Sequence, residues 1–210
     1  MNVLDGMTGW RMIKINDLIK KFKQHVIQEC KNPAFKHHKW FVKYHLEIVE
    51  QIALELCEKY ECADKKLVEI LVWLHDYGKI LDSENQHEKT LTKGKEKLLE
   101  LGFQGDYIEK LLSYIKLIDN YEEVDLEKAP VEAKIVASAD AASHLAGPFY
   151  YYWVHENPDR SVEDLMKSSI DKATEEWDKK IVLPEVKEAF KQRQEVFLEQ
   201  CGDIPDKFLD

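Results

Sequence analysis

The stretch from Leu71 to Ile80 reads LVWLHDYGKI, and it places His75 and Asp76 directly after an apolar run. Burying an imidazole and a carboxylate costs free energy unless both groups find partners. A structural partner within the protein could compensate this cost, and so could a metal ion. The other segments of the chain bear on the choice between these two interpretations.

The composition is typical of a helical protein. Of the 210 residues, 44% are hydrophobic and 33% are charged, whereas only 8 are Gly and 6 are Pro. A protein built from strands needs a turn about every ten residues, so this scarcity of turn residues favours helices. Apolar residues recur at helical spacing along most of the chain, and no convincing strand is found. We therefore predict an all-α helical bundle that forms a single domain over residues 1–210.

Helix boundaries follow from residues that start or stop helices. We expect a loop after the His-Asp doublet, and Gly102 should end the helix that follows this loop. Ser161 and Asp164 form the pattern of a capping box, and Pro184 is typical of a first helical turn. The predicted helices cover about 15–30, 39–60, 64–76, 85–101, 107–118 and 130–146, followed by two C-terminal helices.

The charge and the cysteines limit the class of protein. The net charge of −10 argues against nucleic acid as a bulk partner, because phosphate backbones attract basic surfaces. A small anionic substrate is compatible with this charge, since a bound cation can reverse the local field. The four cysteines form no Cys-x-x-Cys pair, which indicates free thiols in a reducing compartment. Neither a signal peptide nor an apolar run of about 18 residues is found, so we expect a soluble, cytoplasmic protein without a membrane segment.

Two histidines fall on apolar helix faces. His45 lies in the middle of the face that Phe41 and Val49 define, and His75 shares a face with Leu71. A lone histidine in such a place is more often a core residue bonded to a carbonyl than a metal ligand. His75 and its neighbour Asp76 can face one point only where the helix ends, because adjacent residues diverge inside a regular helix.

Asp140 changes the balance between these interpretations. It is the only formally charged residue in the segment IVASADAASHLAG, which we expect to be buried nearly all round. A buried carboxylate needs a cation, and no Lys or Arg lies within this segment. Three buried helices would thus contribute two imidazoles and two carboxylates, a ligand set that suits Mn, Fe, Co, Ni or Zn. The alternative is two unrelated His–carboxylate pairs in the core.

The order of these residues resembles the HD-domain superfamily of metal-dependent phosphohydrolases. That pattern has a His, a His-Asp doublet about thirty residues later and a distant Asp, which correspond to His45, His75, Asp76 and Asp140. The surrounding segments YHLEIVEQIA, LVWLHDYGKI and KIVASADAASHL match in kind. The resemblance covers about 39–146 and implies an HD-domain-like helical bundle, with a C-terminal helical extension over about 149–210.

The resemblance also implies a reaction. It predicts hydrolysis of a phosphomonoester or phosphodiester, in a nucleotide or a related small phosphate, with one divalent metal ion bound by His45, His75, Asp76 and Asp140. Asp76 would also accept a proton from the attacking water, and Lys79 of the HDxGK pattern would bind the substrate phosphate. The 5'-deoxynucleotidase type has a Glu at that position, so its specific activity is not transferred.

A second metal site is suggested by His87 followed by Gly94, but the pattern is incomplete. Members with two metals have a further His near the end of the following helix, where this chain reads YIKLIDNYEE. Asp119 could substitute for that histidine. We nevertheless expect one metal, with His87 lining the pocket as a proton donor or a substrate contact.

Two other functions compete with the phosphohydrolase. The chain could be a non-catalytic module that binds a metal and a nucleotide as a sensor, or a di-iron oxygenase, for which it has too few histidines. The aromatic stretch FYYYW (149–153) is interpreted as core or as a dimer contact of a homodimer, rather than as a wall that stacks on bases. The tandem His37 and His38 is interpreted as solvated, and His144 could border the pocket.

Overall fold

The computed structural model describes residues 3–204, 206, 207 and 209, with side chains from residue 15 onward. The two ends of the predicted domain, at residues 1, 2 and 210, and residues 205 and 208 of the predicted extension lie outside the described residues. Every regular element within the described part of the chain is helical. The predicted all-α fold class is therefore confirmed.

The helices follow each other with short connections, and three of them contain a π-helical turn. The π turns cover Val42–Leu46, Thr90–Gly94 and Glu176–Lys180. The α-helices are α1 (Val3–Cys30), α2 (Glu47–Lys59), α3 (Lys65–Leu74), α4 (Tyr77–Leu81), α5 (Gln86–Lys89), α6 (Lys95–Leu101), α7 (Gly105–Asp119), α8 (Val131–Ala146), α9 (Phe149–His155), α10 (Val162–Glu175) and α11 (Pro184–Cys201).

Helix α8 lies at the centre of the bundle. It packs against α2, α3, α7 and α11, and its residues from Ala133 to His144 are buried with the exception of Lys134. Small side chains such as Ala137, Ala139 and Ala141 allow the neighbouring helices to approach closely. The polar residues of this helix consequently lie inside the protein, as its sequence predicted.

The predicted loop after the His-Asp doublet is in part wrong, because α4 forms there. Gly78 explains the difference: a Cβ atom at this position would lie 1.8 Å from the Gln86 carbonyl oxygen. The Gly78 amide also donates to Thr90 Oγ1 at 2.9 Å. Contacts with the segment that follows in sequence thus stabilise a helix that is too short to form alone.

Of the other helix boundaries, two agree with the prediction and two differ from it. Gly102 ends α6 with a φ of 95°, a left-handed conformation that glycine adopts without strain. Ser161 Oγ accepts a hydrogen bond from the Asp164 amide, so the predicted cap of α10 is present. Helix α1 begins well before the predicted residue 15, and the FYYYW stretch is helical. No helix within the described residues is long and apolar enough to cross a membrane.

Candidate metal centre

Three segments bring the predicted metal-binding side chains together. His45 lies in the π turn before α2, His75 and Asp76 lie between α3 and α4, and Asp140 lies within α8. His45 Nε2 is 3.2 Å from Asp76 Oδ2 and 3.5 Å from Asp140 Oδ1. His75 Nε2 is 3.6 Å from each of the same two oxygens. We call these four side chains the inner cluster.

Hydrogen bonds on the outer side of the inner cluster orient both imidazole rings. His75 Nδ1 donates to the Val72 carbonyl at 2.7 Å, which leaves Nε2 of the neutral ring as an acceptor. Ser143 Oγ donates to the Asp140 carbonyl at 2.7 Å, so it accepts from His45 Nδ1 at 3.0 Å. Burial lowers the pKa of His45 to about 4, which keeps this ring neutral near pH 7. In the neutral rings both Nε2 lone pairs therefore face the carboxylates.

His45, His75 and Asp76 offer ligand atoms within 4.8 Å of one another and could hold a divalent metal ion, and Asp140 Oδ1 lies within 3.6 Å of both imidazole Nε2 atoms. His75 Nε2 is buried and has no hydrogen-bond partner among the described residues, a costly state for a polar atom. Ligand atoms about 2.1 Å from a tetrahedral ion lie about 3.4 Å from each other. The four distances between nitrogen and oxygen in the inner cluster, from 3.2 to 3.6 Å, are close to this spacing.

The electrostatics of the inner cluster favour added positive charge. Burial alone would raise the pKa of Asp76, but Lys79 and His75 hold this pKa well below its ordinary value. Burial opposes a charge on His75, yet Asp76 and Asp140 raise its pKa above the ordinary value. A proton on His75 and a metal ion would each place positive charge beside the carboxylates of Asp76 and Asp140. An ion that binds to His75 Nε2 must therefore displace the proton.

The second oxygen of Asp140 has a partner that the sequence analysis missed. Lys180 Nζ, from the π turn after α10, lies 2.6 Å from Asp140 Oδ2. The segment around Asp140 contains no basic residue, but the C-terminal extension, which is distant in sequence, supplies one. Burial would lower the pKa of Lys180, whereas Asp140 and Glu176 raise it above its ordinary value. Lys180 is therefore a buried cation on Oδ2, and Asp140 Oδ1 remains turned to the imidazoles.

Glu176 is the second missed residue, one turn before Lys180. It accepts a hydrogen bond from His144 Nδ1 at 2.8 Å through Oε2, and one from Lys172 Nζ at 2.8 Å through Oε1. Burial would raise the pKa of Glu176, but His144 and Lys172 hold it below the ordinary value. A buried carboxylate from the extension thus fixes the ring of His144.

A sequence signal for these two residues exists. The buried positions of α10 are Leu165, Ser169 and Ala173, and Glu176 and Lys180 continue the same face at spacings of three and four residues. Ionisable residues in phase with a buried stripe are expected to be buried and paired, as His45 is.

Lys79 lies beside the inner cluster. Its Nζ donates to Asp76 Oδ2 at 2.8 Å, and the side chain is 28% exposed. An ammonium group has three donors, so this contact leaves others for a ligand. Lys79 also lines the cavity described below.

His87 lies next to Asp119 and apart from the inner cluster. His87 Nδ1 donates to Asp119 Oδ2 at 2.5 Å, and the histidine side chain is 42% exposed. Burial raises the pKa of Asp119 although His87 opposes the shift. We call these two residues the outer pair. The glycine that accompanies His87 in the two-metal pattern has a packing role, because a Cβ atom on Gly94 would lie 2.7 Å from Leu74 Cδ1.

A cavity of about 520 Å³ connects the two clusters. Its lining includes His75, Asp76 and Asp140 of the inner cluster, both residues of the outer pair, and Lys79, Lys180 and His144. This volume lies within the range of small-molecule sites. The structure thus places the predicted site residues on the wall of one pocket, with the exception of His45, which is buried behind it.

Aromatic residues form another part of the lining. Phe149, Tyr150 and Trp153 line the cavity, although we had expected the FYYYW stretch in the core or at a dimer contact. The expectation holds in part, because Tyr150 is also buried. His37 was predicted to be solvated and instead contacts Glu156 Oε2 at 2.6 Å. Both differences arise because α9 packs against the segment 37–45 that precedes α2, where Trp40 stacks on Tyr152.

The π turns have a direct effect on these positions. His45, Thr90, and the pair Glu176 and Lys180 each lie in one of them. A π turn contains more residues than an α turn and shifts the side chains that follow it. A period of 3.6 residues read from the sequence cannot predict this shift.

The comparisons with known proteins agree with this geometry. The model of the HD domain matches residues 42–145, a segment that contains the whole inner cluster but neither Glu176 nor Lys180. No curated protein and no solved structure matches the chain. The match nearly coincides with the region 39–146 on which the resemblance rests. With its helical fold and its inner cluster in the matched segment, the chain belongs to the HD-domain superfamily, a family of the metal-dependent phosphohydrolase type.

Proposed function

We propose that this protein is a metal-dependent phosphohydrolase that cleaves a phosphomonoester or phosphodiester in a nucleotide or a related small phosphate. The observation that carries the proposal is the buried Nε2 of His75, which has no hydrogen-bond partner among the described residues and lies 3.6 Å from two carboxylate oxygens on the wall of a cavity. Lys79 and His87, two groups suited to a phosphate ester, line the same cavity.

His45, His75, Asp76 and Asp140 would hold one divalent ion, of Mn, Fe, Co, Ni or Zn. Such an ion supplies a nucleophile at neutral pH and polarises a phosphoryl oxygen. The low pKa of Asp76 keeps this carboxylate ionised and makes it a weak base. Its role as a ligand is therefore better supported than its predicted second role as a proton acceptor.

Lys79 would bind the phosphoryl group. It is fixed by Asp76 at 2.8 Å and remains partly exposed towards the cavity. A fixed ammonium group can stabilise charge that develops on phosphoryl oxygens without reorganising during the reaction. Lys79 and Asp76 are three residues apart, so a single helical turn brings their side chains into this contact.

His87 would protonate the leaving oxygen. Asp119 holds its Nδ1 at 2.5 Å, which leaves Nε2 to carry the transferred proton. An imidazole titrates near neutrality and can both hold and release a proton there. We keep one metal in the proposal, because the outer pair is complete without an ion.

The aromatic lining favours a substrate with a ring system. Phe41, Phe149 and Trp153 line the cavity together with the polar groups. Aromatic faces bind nucleobases by stacking. The proposed partner is thus a small phosphorylated compound, and a homodimer stays a prediction.

The test is release of phosphate from a panel of nucleotides and small phosphate esters, with Mn²⁺, Co²⁺, Ni²⁺ or Zn²⁺ added. We expect release that depends on the metal in the natural protein and none in His75→Ala. Elemental analysis of the purified protein identifies the ion that it carries. Metal-dependent binding of a nucleotide without any release would favour the sensor instead.

A further inference from the structure

Three imidazole nitrogens surround one oxygen of Asp140. Its Oδ1 is 3.5 Å from His45 Nε2, 3.6 Å from His75 Nε2 and 3.7 Å from His144 Nε2. The first two histidines belong to the inner cluster. His144 was expected only to border the pocket, yet its distance to this oxygen is nearly the same.

The three rings also share one pattern of hydrogen bonding. Each Nδ1 faces an acceptor away from the centre, namely Ser143 Oγ, the Val72 carbonyl and Glu176 Oε2. Each Nε2 of a neutral ring is consequently an acceptor that faces the acceptor Asp140 Oδ1. Buried acceptors repel each other unless a cation lies between them. Lys180 does not supply this cation, because it binds the other oxygen of Asp140.

We propose that His144 is a third imidazole ligand of the metal centre, in addition to the four residues of the inner cluster. This inference rests on the proposed function, since it concerns the same ion. His45, Asp140 and His144 offer ligand atoms within 4.8 Å of one another. The stacking of His144 against His45, with ring centroids 5.3 Å apart, keeps the two Nε2 atoms on the same side.

The C-terminal extension positions this ligand. Asp140 and His144 are four residues apart on α8, and Lys180 and Glu176 are four residues apart on the facing π turn. The two pairs bind each other crosswise, Asp140 to Lys180 and His144 to Glu176. Glu176 is a positioning residue: a carboxylate on Nδ1 fixes the ring and makes Nε2 a stronger ligand.

The extension therefore has a function that the family match does not include. Residues 176 and 180 lie beyond the matched segment, which ends at residue 145. Glu176 is 2% exposed and Lys180 is 8% exposed, so neither belongs to a solvated helix face. The cost of burying both charges is offset by the ion pairs with α8 and by Lys172.

Two measurements test the role of His144. Pulsed electron paramagnetic resonance with bound Cu²⁺ counts coordinated imidazoles, and we expect three in the natural protein and two in His144→Phe. Calorimetric titration with Mn²⁺ gives the affinity, and we expect Glu176→Gln to weaken binding by roughly 10- to 100-fold. Because Glu176 acts through His144, Glu176→Gln should cause no further loss in a protein that already carries His144→Phe.

Glu175→Gln is the matched control. Glu175 is the preceding residue, and it pairs with Lys179 on the surface at 2.9 Å. This variant should keep three imidazoles and unchanged Mn²⁺ affinity. The count in the natural protein and the affinity of Glu176→Gln decide the question even if His144→Phe does not fold.

The outcomes separate this inference from the proposed function. A count of two imidazoles in the natural protein, with metal bound and lost in His75→Ala, would overturn the role of His144 and leave the proposed phosphohydrolase intact. Failure of the natural protein to bind Mn²⁺ or Cu²⁺ would overturn both. Equal affinities of Glu176→Gln and Glu175→Gln would remove Glu176 as a positioning residue.

Discussion

The inner cluster and the outer pair are both made of histidines and carboxylates, and all of these residues except His45 line the same cavity. They differ in the direction of the ring hydrogens. In the outer pair, His87 Nδ1 donates directly to Asp119, so the two groups satisfy each other. In the inner cluster, Nδ1 of both histidines donates outward, and the Nε2 atoms face carboxylate oxygens.

This difference assigns different chemistry to residues of the same type. A histidine whose hydrogen points to its carboxylate suits proton transfer, because the carboxylate stabilises the charged ring. A histidine whose lone pair points to a carboxylate suits a metal ion, which both groups then bind. The exposed fractions of the two histidines agree with these two roles, since His75 is buried and His87 is 42% exposed.

The largest effects are expected for variants of the inner cluster, and the first of these is His75→Ala. It removes one of the two imidazoles of the inner cluster, so the metal content should fall from near one ion per chain to near zero. An ion present at a hundred times its Kd stabilises the folded state by about 2.7 kcal/mol, so the Tm should fall by roughly 5–11 °C.

Elemental analysis and thermal unfolding measure both quantities. A chelator should lower the Tm of the natural protein and leave that of His75→Ala unchanged. Asp140→Ala should also lose the metal, and its Tm falls further because Lys180 loses its buried partner. A metal content near one per chain in both variants would contradict the inner cluster as the metal site.

The next effect concerns His87→Ala. Loss of a general acid typically slows turnover by roughly 10²- to 10⁴-fold, whereas the metal content should not change. Steady-state kinetics on the ester that the panel identifies, together with elemental analysis, measure both effects. His155→Ala, at an exposed position of α9, is the control and should retain full activity. Loss of metal in His87→Ala would instead place an ion at the outer pair.

A smaller loss is expected for Lys79→Ala. Removal of one charged contact to developing phosphoryl charge slows turnover by about 10²-fold. The metal content should stay nearly unchanged, the Tm should fall only slightly because Asp76 loses its contact with a partly exposed cation, and Lys79→Arg should lose less activity. Steady-state kinetics of Lys79→Ala and of the control Lys191→Ala test this expectation. The side chain of Lys191 is 66% exposed. An unchanged rate in Lys79→Ala would exclude this side chain from the reaction.

The smallest effect is expected for Gly94→Ala, a residue of the two-metal pattern. The new methyl group would meet Leu74 Cδ1 at 2.7 Å, and overpacking of this kind costs about 1–3 kcal/mol. Denaturant unfolding should therefore show lower stability with unchanged metal content. Gly105→Ala, where a Cβ atom meets nothing within 4 Å, is the matched control. Loss of metal without loss of stability would favour a second metal at His87.

The sequence alone determined the fold class and the membership of the inner cluster. Helical spacing of apolar residues and the scarcity of Gly and Pro predicted an all-helical chain. His45 and His75 were identified because each is in phase with an apolar helix face, and Asp140 because it is the only formally charged residue of a segment expected to be buried nearly all round. Burial of such residues follows from local pattern, since the period of the helix decides which side chains face inward.

Tertiary structure alone decided which partners these residues meet. Glu176 and Lys180 continue the buried face of α10, but only the packing of the extension on α8 decides that they meet His144 and Asp140. Helix α4 likewise depends on the contact between Gly78 and the segment near Gln86. The position of the hydrogen on His45 and on His144 follows from Ser143 and Glu176, which are 98 and 32 residues away from these rings, whereas His75 bonds locally to the Val72 carbonyl. Contacts between residues so far apart in sequence are set by the packing of whole helices, and the local helical period does not encode them.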